Sequence, residues 1–140
     1  MTSSLFLHYL NFSPMVTTEV AQLSQECNAW RETLRSFRDE FHQMKQQLQE
    51  KAKGHTHKED LLQVEHLDNQ LHIQLINIHD LKQAIKQHDK KVLLEVAQNE
   101  SGISESTLLD HERLFDSYTS LDNTLQDIRH EYDLFTNRTQ

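Results

Sequence analysis

The fold of this chain is decided by one stretch, Val16 to Leu48, which reads VTTEVAQLSQECNAWRETLRSFRDEFHQMKQQL. Its apolar residues stand at Val16, Val20, Leu23, Cys27, Trp30, Leu34, Phe37, Phe41, Met44 and Leu48. Steps of four and three alternate without a break, which is the seam of a coiled-coil-like helix. The residues between are mostly Gln, Glu, Arg, Lys and Ser, so the stripe is narrow and touches its partners along one edge. Ser13-Pro14 offers an N-cap followed by Pro at the first helical position, with Thr17 and Thr18 as other caps. Glu19 and Glu26 fall toward the start and Lys45, Lys51 and Lys53 toward the end, the polarity that a helix dipole favours. Gly54 stops the helix, which the pattern places over about 14–53.

A second helix, over about 57–97, opens on a capping box, Thr56-His-Lys-Glu59. One seam position recurs every seven residues at Val64, Leu71, Ile78, Ile85 and Val92. Its companion position is mixed: Leu67, Gln74, Leu81, His88. Polar residues on a seam cost stability but select register and oligomer state. Leu62, Ile73 and Ile76 project roughly opposite this seam at 100° per residue, so the helix is apolar on two sides and needs neighbours on both. The link around Gly102 breaks the pattern, and Ser104 or Ser106 caps a third helix over about 104–136. Its seam is Leu114, Tyr118, Leu121, Leu125, Ile128, Tyr132 and Phe135, with Leu108, His111 and Phe115 widening the apolar face near its start.

Short links make successive helices antiparallel neighbours. The expected fold is therefore all-α: an antiparallel up-down-up three-helix bundle of long helices, one domain over 14–140, preceded by an apolar arm over 1–13. That register sets Lys82, Lys86, Lys90 and Lys91 beside Glu105, Asp110, Glu112 and Asp116, pairs that contribute little each but favour this arrangement. Two Gly and one Pro leave no room for a multi-stranded sheet, which needs frequent turns. Three long seam helices with a Trp on the first seam are similar in architecture to a spectrin-type repeat. The likeness implies the bundle alone and assigns no residue a role.

Acidic residues outnumber basic ones 22 to 14, a formal charge of −8, which argues against nucleic acid or an anionic membrane as partner. No run approaches the ~18 apolar residues of a membrane span. Leu5 to Phe12 is apolar but lacks the basic start and small-residue cleavage site of a secretory signal, so the expected location is cytoplasmic. The lone cysteine, Cys27, falls on a seam and reads as a small buried hydrophobe.

Ten histidines invite a search for metal sites. Helical bundles hold di-metal centres with inward Glu-x-x-His pairs, and this chain has no such pair and no His-x-x-x-His. Asp39 with His42 and Asp127 with His130 have related spacing but lie on outer faces. Glu65, His72 and His79 repeat at seven on the second helix and form the alternative metal site, between its two apolar faces. His55, His57 and Glu59 read as loop and cap residues able to hold only an adventitious ion. With no phosphate-binding loop and no nucleophile beside a base, the chain reads as no enzyme, with no cofactor and no catalytic residue. The expected function is an interaction or structural bundle, self-associating as a dimer or binding another protein. Its candidate interface is Leu62, Ile73 and Ile76 together with Leu5, Phe6 and Leu7 of the arm, which can dock on the bundle, pair with a second copy or lie upstream of the true start.

Overall fold

The computed structural model describes residues 14–54, 57–98 and 102–138, with side chains from residue 19 onward. Three long helices pack against each other: α1 (Pro14–Gly54), α2 (Lys58–Gln98) and α3 (Glu105–Arg138). Their ends agree with the sequence reading to within two residues. No strand occurs among the described residues. No helix among them is long and apolar enough to cross a membrane.

The seams form the core. Every seam residue of α1 from Val20 to Leu48 is buried, as are Val64, Leu67, Leu71, Ile78, Ile85 and Val92 of α2. Each such aliphatic side chain contributes ~1.5–3 kcal/mol on removal from water. Gln74 and His88 are buried with them, at 7% and 6% exposure, so the polar seam positions do point inward. On α3 the seam runs back further than the apolar residues alone indicate, through His111 and Thr107, both buried. Phe115, which the pattern assigns to the apolar face, is half exposed instead.

Packing divides the chain into two compact units, and all three helices contribute to each. The first comprises residues through Glu32 with Leu81–Tyr118. Val20, Leu23, Val92 and Val96 form its apolar cluster, with Ile103 and Leu108 laid against it. Gly102 turns the chain toward α3 at φ 95°, a backbone region that costs an L side chain strain. Ser104 is the N-cap: its Oγ accepts from Thr107 N at 3.2 Å, and its carbonyl accepts from Leu108 N. Glu95 of α2 accepts from both the Ser104 amide and the Thr107 hydroxyl, tying the cap to the preceding helix. Of the expected Lys–acid pairs, Lys91 and Asp110 meet at 3.2 Å.

The second unit comprises Thr33–Asp80 with the chain from Thr119 on. Phe37, Phe41, Met44, Leu71, Leu125, Ile128 and Phe135 are among its core residues. Lys45–Asp68 at 2.9 Å and Arg129–Glu40 at 2.7 Å join helices at its edges, and the Arg129 guanidinium lies 4.6 Å from the Phe37 ring centre. Such contacts fix register more than they add stability.

Candidate functional site

Three polar side chains meet in the core of the first unit, one from each helix. Cys27 occupies the α1 seam, His88 the α2 seam and His111 the α3 seam, and all three are buried. Their Sγ and ring nitrogen atoms all lie within 4.8 Å of one another, the only group of three or more such ligand atoms among the described residues.

A hydrogen-bonded chain passes through the two imidazoles. His88 Nε2 lies 2.9 Å from His111 Nδ1, and His111 Nε2 lies 2.7 Å from Glu26 Oε1. The ionised carboxylate only accepts, so His111 carries a proton on Nε2. In the tautomer that carries its proton on Nε2 alone, His111 accepts at Nδ1 and His88 donates through Nε2. Trp30 covers the chain, its ring centre 4.8 Å from that of His111, and Tyr118 and Phe115 flank the indole at 5.7 and 5.9 Å.

The electrostatics follow from depth. Burial, and then the neighbouring Asp89 carboxylate, push the Cys27 thiol up to about 12. Burial, and then the adjacent His111, hold the His88 imidazole below its ordinary value, which keeps it neutral at pH 7. A neutral thiol at 0% exposure has neither the charge nor the access of a nucleophile, despite two nearby imidazoles. Asp89 pairs with Arg31 at 3.6 Å through Oδ2, while its buried Oδ1 has no hydrogen-bond partner. Buried oxygens in that condition are rare, because losing water without replacement costs free energy.

The residues singled out by sequence have other locations. Glu65, His72 and His79 are exposed on α2 and do not converge, since a spacing of seven separates successive members by ~10 Å along a helix. Asp39, His42, Asp127 and His130 are exposed, as their outer-face positions require. Leu62, Ile73 and Ile76 are 55%, 40% and 49% exposed, so none of the described residues covers them fully. Leu5, Phe6 and Leu7, along with His55 and Thr56, lie outside the described residues.

Sequence reasoning placed Cys27 and His88 on seams and His111 beside one, yet did not bring them together. The available signal was that a metal-ligating residue stood at an inward position on each helix. No protein-family model matches the chain, and comparison with curated proteins and with solved structures finds no match.

Proposed function

We propose that this protein is a non-enzymatic, cytoplasmic helical bundle that works by associating with other protein surface, first of all with a second copy of itself. The observation that carries this reading is the line of Leu62, Ile73 and Ile76 along the outer face of α2. At 100° per residue the three fall within about 60° of one another. Asn69 and Asp80 fall within the same arc and His66 and Asn77 border it, and all four are exposed. Exposed aliphatic side chains interleaved with Asn69 and Asp80 offer a partner both apolar area and hydrogen-bonding groups, as recognition surfaces do.

The spacing also suits self-pairing. Two α2 helices laid antiparallel about Asn69 set Leu62 of one copy on the partner's Ile76, and Ile76 on the partner's Leu62. Such a contact closes on itself as a two-fold dimer. Asn69 then meets its own counterpart at the axis, where a single Asn is an effective register device. A net charge of −8 with no basic run supports a protein partner over nucleic acid. Support for a non-enzymatic role comes from Cys27, whose fully buried thiol is out of reach of a substrate.

Light scattering of the full chain over a concentration series tests the reading. The expected mass rises toward twice the chain's 16.6 kDa. Ile76→Asp is expected to return it to the single-chain value with unchanged helical circular dichroism. A chain that holds at 16.6 kDa at every concentration refutes self-association.

A further inference from the structure

We propose that Cys27, His88 and His111 are the ligands of a buried site for one divalent transition-metal ion of the Zn²⁺ type. The ligand atoms are Cys27 Sγ, His88 Nε2 and His111 Nδ1. They already lie within 4.8 Å of one another, and the two nitrogens are 2.9 Å apart. Ligand bonds of ~2.0–2.3 Å place tetrahedral ligand atoms about 3.3–3.6 Å from each other. The two imidazoles therefore open by a few tenths of an ångström and the thiol closes by about one. Side-chain rotation alone covers such distances.

The surroundings are those a metal site needs. A ligating histidine is oriented by a carboxylate on its other nitrogen. Glu26 Oε1 occupies that place on His111, and in the tautomer this pairing favours Nδ1 faces His88 Nε2 as an acceptor at 2.9 Å. Asp89, whose charge acts on both Cys27 and His88, meets Arg31 through Oδ2 at 3.6 Å, and its buried Oδ1 has no hydrogen-bond partner. A cation at the Cys27–His88–His111 focus gives that charge a counterpart. An open groove lined by Gln87, His88, Lys91, Asp110 and Leu114 reaches His88 from solvent and supplies an entry path.

The donor set selects the ion. One sulfur and two imidazole nitrogens suit borderline and soft metals, whereas Ca²⁺ and Mg²⁺ require oxygen ligands. Three protein ligands leave one coordination position for water or a small exogenous group. Binding is balanced simply: the Cys27 S–H bond breaks, its proton leaves to solvent, and an S–metal bond forms. The His88 proton moves from Nε2 to Nδ1, so the dication ends as a site of net charge +1. The site also explains why each helix places a polar or thiol group on a seam where an aliphatic residue would pack better.

Cobalt titration of the chelator-stripped full chain tests the proposal, because Cys27 is the only cysteine. The expected result is a sulfur-to-cobalt charge-transfer band that saturates at one Co²⁺ per chain and is displaced by Zn²⁺. Intense visible bands of a four-coordinate ion should accompany it. Cys27→Ser and His111→Gln should each abolish tight binding while helical circular dichroism is retained. Glu26→Gln, which leaves the ligands in place, should weaken affinity by about 10–100-fold. A folded chain that gives no charge-transfer band at one equivalent overturns the site. So does Zn²⁺ binding of unchanged affinity in His88→Gln, His111→Gln and Cys27→Ser, which would mark an adventitious ion only. If any one of these variants fails to fold, the other two and Glu26→Gln decide by affinity.

Discussion

Trp30 lies over His111 with ring centres 4.8 Å apart, so the largest side chain of the α1 seam forms the lid of a polar chain rather than filling an apolar layer. The indole is 6% exposed and also stacks on Tyr118. Its removal would cost both buried area and the cover it lays over the His111 ring. Trp30→Ala should destabilise the protein by ~3–5 kcal/mol, the range for a large aromatic lost from a core. Urea unfolding followed by circular dichroism checks this. A loss below about 1 kcal/mol would mean that the ring covers surface and holds nothing beneath it.

Gln74 is buried within the α2 seam of the second unit, and its Oε1 accepts from Asn77 of the same helix at 3.1 Å. Asn77 is exposed, so water replaces Gln74 as its partner at small cost. Leu67, Leu71 and Ile78 stand one or two turns away on the same seam, so a leucine at this position joins an apolar run. Gln74→Leu should stabilise by ~1 kcal/mol, raising Tm by roughly 3–5 °C. The same substitution should loosen the selection of a single assembly, read as several species in light scattering. A lower Tm would show that the amide is structurally required.

How much of this was legible beforehand follows from what periodicity encodes. It reports which way a residue points from its own helix, so the buried set from Val20 to Leu48 and the inward Gln74 and His88 were readable. It does not report the stagger between helices. In the first unit Glu26 meets His111 and in the second Gln47 meets Tyr132, both at a sequence separation of 85. His88 meets His111 at a separation of 23. These values depend on the backbone path through the two links, and no pattern within a single helix specifies them. Without them Cys27, His88 and His111 remain three separate seam residues. Leu62, Ile73 and Ile76 were readable as a second face, but their exposure required knowing that α1 and α3 both pack elsewhere.

Glu95 ties α2 to the start of α3, with Oε2 accepting from Thr107 Oγ1 at 2.6 Å and Oε1 accepting from the Ser104 amide. These bonds, the Thr107 hydroxyl first and the Ser104 amide next, hold its carboxyl below the ordinary value of 4.5. Lys91 on the same helix acts in the same direction. A carboxyl whose folded value is depressed binds fewer protons folded than unfolded. Its contribution is therefore fully present above about pH 4.5 and is lost as pH falls through the depressed value. Glu95→Gln should lower Tm at pH 7, and its difference from the parent should shrink below about pH 4.5. Melting curves of both proteins between pH 7 and pH 3 measure that difference directly, with the other carboxylates cancelling between them. A gap that stays constant over the whole range would assign the effect to side-chain shape, and the charge on Glu95 would then contribute nothing to the α3 cap.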